Sequence, residues 1–471
     1  MDMEQIVMPA KSEAELKSEE DGEKDDMMNS RRKTEGIDEA PNDIENPYDP
    51  LLEDLRNLFT LSPYDPLQEE LDLLTLSPYL CIYRVPERLR QGNEKAYTPQ
   101  VVSIGPLHHG EEHLKGMEEH KKRYLLDFLS RTRVSFYDCI KMIKMQEGKL
   151  RGCYAEPIEL GSDEFVRIVL LDAAFVIEFL LRYYSVNFLG QADDTVTKPM
   201  MMWDVRPDFL LLENQLPFFI LQVLFNTLFS SADQQPSLLE ISYFSLQREI
   251  DSKRKEEIFG EICSSGEEVQ HFVDLIRILY RPLKSKTGGE LKGTAVPNVT
   301  ELVQAGVEFK VGKGSSLFDI NFSCGTLKIP KLTVCDTTDL KLKNLLAFEL
   351  CRHRETNYLT NYVFLMKRLA KTPKDVELLV EYGIIDNWLG DAKKISTLLL
   401  DFDTGVVGND YYYASLCKDL NDYCRSRRHK WMTNLRRNYF NTPWRIISIV
   451  AAVILLILTS IQTVCSIISI A

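Results

Sequence analysis

Two long apolar stretches in the middle of the chain set the strongest limit on its fold. The first covers residues 163–185, and its central part carries only Asp172 and Glu178 as charged side chains. The second, residues 207–230, is almost as apolar. A helix that is apolar around most of its circumference must be surrounded by protein. The chain has 471 residues, 44% of them hydrophobic, which is enough material for a large core around both segments.

A polar interruption divides the second stretch. Glu213, Asn214 and Gln215 stand between its two apolar halves, and Pro217 suits the first turn of a new helix. The pattern predicts two helical pieces joined at a polar corner. A buried carboxylate and two buried amides need hydrogen-bond partners. They form either a polar functional site or caps for a broken helix, and we favour the caps.

Periodicity elsewhere also favours helices. A helical spacing of apolar residues recurs in five further segments: 112–131, 338–370, 373–382, 391–402 and 410–440. Apolar and polar residues instead alternate in three short segments separated by glycines: 307–311, 317–322 and 326–329. This alternation predicts a small antiparallel meander. The predicted fold class is therefore mainly α, a large helical body with one small antiparallel β meander, together with the C-terminal segment described next.

An uncharged run of 25 residues, 446–470, lies at the C-terminal end. About 20 apolar residues suffice to cross the ~30 Å hydrocarbon core of a bilayer, so the run predicts a single transmembrane helix. The alternative is a buried core helix, which we disfavour because only Ala471 follows the run.

The residues before this run favour the same interpretation. A membrane-proximal basic cluster precedes it: Arg425, Arg427, Arg428, Lys430, Arg436, Arg437 and Arg445. Candidate interfacial aromatics accompany the cluster: Trp431, Tyr439, Phe440 and Trp444. Positive flanks stay in the cytosol, and aromatic rings are enriched at the lipid headgroups. The prediction is a single-pass, tail-anchored protein with the bulk of the chain in the cytosol and the lipid bilayer as a partner, at the plasma membrane or an endomembrane.

The N-terminal end is acidic. Residues 1–50 contain 16 acidic and 6 basic side chains, so residues 1–47 are predicted to be a disordered acidic tail, either a docking segment or a solvated leader. Residues 48–80 contain a duplicated Tyr-Asp-Pro-Leu unit, interpreted as a linker or, alternatively, as a partner-binding helix. The helical body then covers 81–440. A net charge of −14 argues against nucleic acid as a partner.

A histidine-rich segment is the best candidate for a metal site. Four of the seven histidines lie close together: His108, His109, His113 and His120. Three of them, at 109, 113 and 120, would share a helix face, but a zincin requires Glu directly after its first His, and Gly110 stands there instead. We favour polar surface histidines over a metal site, and predict no metal and no cofactor.

Other catalytic patterns are weak. The Gly312-Lys313 segment lacks the ending of a phosphate-binding loop and precedes a strand, so a hairpin turn is favoured. The ten cysteines form no C-x-x-C pair, which argues against a zinc ribbon or a disulfide framework and favours buried structural thiols. The chain is accordingly predicted not to be an enzyme.

Several segments together resemble the plant "domain of unknown function 247" family, also called the uncharacterised plant protein family 0481. They are IYRVPERLR (82–90), VVSIGPLHHGEEHLKGMEEHKKRYLLDFL (101–129), DAAFVIEFL (172–180), PDFLLLENQLPFFILQVLF (207–225), HFVDLIRILYRP (271–282), ELVQAGVEF (301–309), NLLAFELC (344–351), DVELLVEYGII (375–385) and NTPWRIISIVAAVILLILTSIQT (441–463). The resemblance implies a helical, cytosol-facing body with a C-terminal span. It implies no established enzymatic activity, and some grass members look like pollen-side determinants of self-incompatibility.

Two hypotheses about function follow. The first is a membrane-anchored scaffold for protein recognition or signalling, with an unknown protein partner and a possible relation to self-incompatibility-type recognition. The second is a membrane-tethered enzyme with a dispersed active site that uses the histidine cluster or the polar corner at 213–215. The resemblance assigns His108, His109 and the corner residues to the fold, and we favour the scaffold.

Overall fold

The structure is a computed structural model. It describes residues 79–188, 203–228, 236–250, 255–282, 289, 296–313, 316–353, 356–402, 411–425 and 443–470. The predicted acidic tail at 1–47 and all of the predicted linker except Tyr79 and Leu80 lie outside these ranges.

Helices dominate the described part of the chain. In the first half they are α1 (Glu87–Arg90), α2 (Lys115–Arg131), α3 (Phe136–Met145), α4 (Glu147–Arg151), α5 (Ser162–Phe188), α6 (Phe218–Phe225), α7 (Leu238–Leu246), α8 (Lys255–Ser265) and α9 (Phe272–Tyr280). In the second half they are α10 (Val299–Gln304), α11 (Thr338–Arg352), α12 (Tyr358–Leu369), α13 (Pro373–Glu381), α14 (Ala392–Asp401), α15 (Ala414–Arg425) and α16 (Pro443–Ile470). Short 3₁₀ turns cover Glu94–Ala96, Glu112–Leu114, Arg206–Leu210 and Gln247–Glu249.

The long helix α5 is the centre of the first half. It packs against α2, α3, α6 and α7. Its residues from Ala173 to Leu180 are all buried, as the near absence of charge in the sequence predicts. The charged exception at its C-terminal end, Glu178, lies 3.1 Å from Arg131 Nε and 3.7 Å from Arg182 Nε. The predicted helix over 163–185 is therefore confirmed, with one residue more at its start and three more at its end.

Helix starts are fixed by local side chains. Ser135, Ser237, Asn298 and Thr372 each cap the helix that follows, and each accepts a hydrogen bond from the backbone of an acidic residue three positions on. The acidic side chain in turn accepts one from the cap residue's own backbone N–H. These capping boxes satisfy N–H groups that a helix leaves unpaired at its first turn.

In the residues that the structure describes, five short strands form two small sheets. They are β1 (Glu308–Val311), β2 (Asn321–Ser323), β3 (Thr326–Ile329), β4 (Leu332–Val334) and β5 (Ile385–Asn387). In the first sheet β3 lies in the centre, parallel to β1 and antiparallel to β2. In the second, β4 pairs with β5 in parallel.

The predicted antiparallel meander is wrong in topology. Of the three strands in the first sheet, only β2 and β3 are antiparallel neighbours, because β1 lies on the far side of β3 and pairs with it in parallel. The segment 317–322 also fails as a continuous strand because Leu317 and Phe318, although consecutive, are both buried. The Ser316 N–H donates to the Asp319 carboxylate, and a turn replaces the first half of the predicted strand.

The C-terminal segment is the second point at which the predicted fold class is wrong. Within the ranges given above, no helix has both the length and the apolar character needed to cross a membrane. The predicted single C-terminal transmembrane helix is therefore not supported.

Candidate functional site

The polar corner predicted at 213–215 is present. A 3₁₀ turn at Arg206–Leu210 leads into it, and α6 begins directly after Pro217. The side chains of Glu213, Asn214 and Gln215 are all at most 1% exposed. Polar groups this deeply buried are stable only with hydrogen-bond partners, so their partners define what the corner does.

Glu213 binds the segment that precedes α2 in the sequence. Its carboxylate accepts hydrogen bonds from the Val85 backbone N–H (2.5 Å) and from Arg90 Nη2 (2.5 Å). Arg84 Nη1 lies 3.5 Å and His108 Nε2 3.3 Å from the same carboxylate. Burial opposes ionisation, but the hydrogen bonds from His108 and Val85 and the charge of Arg90 outweigh it. The pKa of Glu213 is therefore below its ordinary value.

The two amides extend the same contact. Asn214 accepts from the Ile104 N–H (2.7 Å) and donates to the Val102 carbonyl (3.0 Å). Gln215 accepts from the Phe272 N–H (3.1 Å) and so links the corner to the start of α9. Gly105 lies so close that an added Cβ would be 2.7 Å from the Gln215 carbonyl oxygen, and its φ is +81°. Only glycine fits at this approach.

Two buried aspartates complete the arrangement. Asp208 accepts hydrogen bonds from the consecutive N–H groups of Gln100, Val101 and Val102, at 3.0, 2.8 and 2.8 Å. Asp172 on α5 accepts from the Gly105 N–H (2.8 Å) and pairs with Lys121 Nζ at 2.6 Å. Burial raises the pKa of both aspartates, although these donors oppose the rise.

The corner therefore braces the segment 84–108, which includes α1 and a 3₁₀ turn, against the helical core. Its carboxylates and amides form hydrogen bonds with backbone N–H and carbonyl groups and with neighbouring cationic side chains. This arrangement supports the structural alternative raised from the sequence, although the partners are distant chain segments rather than only the ends of a broken helix. The predicted polar corner and the helix after Pro217 are confirmed, whereas the first predicted helical piece is only the 3₁₀ turn Arg206–Leu210.

The histidine-rich segment does not form the shared face that a metal site requires. Gly110 has φ +86° and interrupts the helical phase, and α2 begins only at Lys115. His108 is buried, with Nδ1 2.6 Å from Glu111 Oε1, so it is not a surface histidine as predicted. His113 Nε2 lies 2.9 Å from the Pro99 carbonyl oxygen, and His120 is half-buried on α2. Among the described residues, no three His, Cys, Asp or Glu side chains form a group that could hold a metal.

The membrane-proximal candidates are largely outside the described residues. Arg425 is exposed as the last residue of α15. The side chains of the remaining members of the basic cluster and of the interfacial aromatics lie outside the described part of the structure: Arg427, Arg428, Lys430, Arg436, Arg437, Arg445, Trp431, Tyr439, Phe440 and Trp444.

An exposed tryptophan is the feature that the sequence reasoning missed. Trp388 follows β5 and is 72% exposed. Its backbone N–H donates to the Val334 carbonyl (2.9 Å), and the Asp386 carboxylate lies two residues before it on β5. Lys331 Nζ lies 2.7 Å from the same carboxylate, and its hydrogen bond to that group is the main reason why the pKa of Asp386 is lowered. The available signal was a lone tryptophan between the turn formers Asn387 and Gly390.

A shallow cavity of about 480 Å³ lies beside this turn. It is lined by residues of α13, α14 and the turn itself, including Pro373, Val380, Asn387 and Gly390. Val380 is 37% exposed, and the turn is closed by a 2.9 Å hydrogen bond from the Gly390 N–H to Asn387 Oδ1. An exposed ring on a turn whose backbone is fixed by hydrogen bonds can contact another macromolecule at a small cost in ordering.

The fold and the braced corner define a mainly helical body with a structural polar core. The chain belongs to DUF247, a family of plant proteins of unknown function, whose model matches residues 82–458. This confirms the resemblance seen in the sequence. The chain is 29% identical to the UPF0481 protein At3g47200 of Arabidopsis thaliana, over 83% of this chain and 86% of that protein. It is 21% identical to the putative UPF0481 protein At3g02645 of the same plant, over 84% and 91%. No solved structure matches it.

Proposed function

We propose that this protein is a recognition scaffold that binds another protein through the surface around Trp388. The observation that carries the proposal is the exposure of Trp388 on a turn fixed by the hydrogen bonds from the Trp388 N–H to Val334 and from the Gly390 N–H to Asn387. Tryptophan is among the residues most enriched at the centres of protein interfaces, because its large ring loses little conformational entropy on binding. The predicted cytosolic location of the body stays a prediction.

The surroundings of Trp388 support this role. Val380 contributes apolar surface, while Lys331, Asp386 and Lys393 place charges around it. An apolar centre with a polar rim is the common anatomy of a protein interface. The enzyme alternative receives no comparable support, since the polar corner at 213–215 braces the chain and the histidine segment lacks the geometry for a metal.

Partner binding by the full-length chain tests the proposal. Partners recovered from plant tissue with the wild-type chain would first be identified and then purified, and their affinity measured with each variant. We expect Trp388→Ala to weaken binding by about 30-fold or more, because hot-spot residues contribute ~2 kcal/mol or more. Trp388→Phe keeps the ring but loses the indole N–H, so its loss should be smaller.

Trp203→Ala is the matched control. Trp203 is 57% exposed on another part of the body, so the substitution removes a similar ring from a different surface. Its affinity should equal that of the wild type. Equal affinities for Trp388→Ala and the wild type would exclude the Trp388 surface, and turnover of a substrate by the purified chain would favour the enzyme alternative.

A further inference from the structure

Cys81 and Cys153, which are far apart in the sequence, lie next to each other in the fold. The Cys81 N–H and the Ile82 N–H both donate to the Cys153 carbonyl, at 3.0 and 2.9 Å, and the Ala155 N–H donates to the Ile82 carbonyl at 2.9 Å. Ile82 and Tyr154 form a parallel bridge, so Cys81 and Cys153 face each other one residue earlier in the same register. Paired strands lie ~4.8 Å apart, within the Cα separation of about 4.4–6.8 Å that a disulfide requires.

Both side chains line the same cavity. It has a volume of about 470 Å³ and is bounded by Tyr79, by residues of α4, α6, α7 and α8, among them Lys149 and Phe219, and by the segment before α9. The two cysteines are at most 2% exposed, so the cavity is their route to small molecules. The other described cysteine in its wall, Cys263, is exposed on α8.

The two thiols are not equivalent. The interaction between the two neighbouring thiols is the main reason why the pKa of Cys153 is lowered and that of Cys81 raised. The positive charges of Lys149 and Arg352 also favour the Cys153 thiolate. When protonated, Cys153 Sγ donates to the Lys149 carbonyl, 3.3 Å away. We assign Cys153 as the nucleophile of the pair and Cys81 as the resolving thiol.

We propose that Cys81 and Cys153 form an oxidation site at which hydrogen peroxide entering the cavity closes a disulfide. The Cys153 thiolate attacks one peroxide oxygen, an S–O bond forms as the O–O bond breaks, and the leaving hydroxide takes a proton to become water. Cys81 sulfur then attacks the Cys153 sulfenic acid, the S–S bond forms, the S–O bond breaks and a second water leaves. Two electrons pass from the two thiols to the peroxide. This site is independent of recognition through Trp388.

The test is peptide mapping of the full-length chain under non-reducing conditions. The reduced chain would be titrated with hydrogen peroxide, its remaining thiols alkylated, and its peptides identified by mass spectrometry. We expect a peptide pair linked through Cys81 and Cys153 at lower peroxide concentration than any oxidation of Cys263 or Cys324, both of which are exposed. Earlier oxidation of either exposed thiol, or the absence of the linked pair, would overturn the proposal.

Two substitutions separate the roles of the two thiols. Cys81→Ser removes the resolving thiol, so sulfenic acid should accumulate at Cys153 and react with a dimedone-type probe. Cys153→Ser should leave Cys81 unlabelled. Cys139→Ser is the control, because Cys139 is buried on α3 outside the cavity, and it should form the disulfide as the wild type does. Circular dichroism checks that each variant is folded, and labelling of Cys81 in Cys153→Ser would contradict the assignment.

Discussion

Glu213 and Glu349 are both at most 2% exposed, but they lie in contrasting surroundings. Glu213 receives a hydrogen bond from Arg90 and has Arg84 and His108 within 3.5 Å. Glu349 on α11 instead accepts from neutral donors at the start of α12: the Leu359 N–H (3.1 Å), the Thr360 N–H (2.9 Å) and Thr360 Oγ1 (2.9 Å). It thus caps a neighbouring helix.

The pKa values of the two carboxyl groups shift in opposite directions. Burial raises the pKa of Glu349 to about 7, and its hydrogen bonds from Thr360 and Leu359 offset only part of that effect. In the Glu213 region, hydrogen bonds and the nearby guanidinium overcome burial and lower the pKa. The neutral donors and the charge of Arg277 do not fully offset the burial of Glu349, whereas a guanidinium hydrogen-bonded to Glu213 helps to tip the balance towards ionisation.

The largest expected effect is the loss of the Glu213 carboxylate. Glu213→Ala removes the acceptor of the Val85 N–H and leaves Arg90, whose side chain is 11% exposed, without its buried counter-charge. Breaking one partner of a buried ion pair costs about 3–5 kcal/mol, so the midpoint of urea unfolding should fall strongly. Circular dichroism during urea titration measures it.

Glu94→Ala provides the matched control for that experiment. Glu94 pairs with the same Arg90 at 3.0 Å, but its side chain is 62% exposed. An exposed pair contributes about 0–1 kcal/mol, so this variant should remain close to the wild type. Equal losses for the two variants would show that burial does not distinguish the two ion pairs.

The second expected effect is a pH dependence of the free energy of unfolding that arises from Glu349. Its folded pKa of about 7 lies above the ordinary value of 4.5, so the folded state binds more protons than the unfolded state between these values. The contribution of Glu349 to the free energy of unfolding should therefore decrease as pH rises through this window, by about 1–3 kcal/mol. The Glu213 contribution has the opposite sign, since it is present above the ordinary pKa and is lost as pH falls through the lowered one.

The difference between wild type and Glu349→Gln isolates this term. Gln does not titrate, while the other buried groups, such as His271 with its pKa lowered by burial to about 3, are common to both chains. The wild type should lose stability relative to Glu349→Gln as pH is raised from about 4.5 to about 7. Parallel stability curves would show that Glu349 keeps its ordinary pKa.

The sequence predicted local features of the fold but not contacts between distant segments. Local sequence patterns correctly predicted α2, α5 and the helix break at Pro217, because apolar spacing and proline determine structure within a few residues. The hydrogen-bond partners of Glu213 could not be predicted from the sequence, because the Val85 N–H is separated from Glu213 by 128 positions. Strand pairing failed for a similar reason: alternation located β1 and β3 but does not encode which strand becomes the neighbour. The uncharged run at 446–470 predicted a membrane span that the structure does not support.

The smallest expected change in stability comes from the hydrogen bond between Thr360 and Glu349, and it tests the contrast between Glu349 and Glu213 most directly. Thr360→Val keeps the shape of the side chain but removes the hydroxyl that donates to Glu349. A hydrogen bond to an ionised acceptor is worth more than one to a neutral acceptor, so the variant should lose about 2 kcal/mol near pH 8 and about 1 kcal/mol near pH 5.5. Ser242→Ala is the control, because Ser242 is also buried and its hydroxyl donates to the Leu238 carbonyl (2.7 Å), which does not titrate. Its loss should be the same at both pH values. If Thr360→Val also showed no pH dependence in urea unfolding, Glu349 would hold the same charge at both pH values, and the contrast with Glu213 would be one of hydrogen-bond geometry alone.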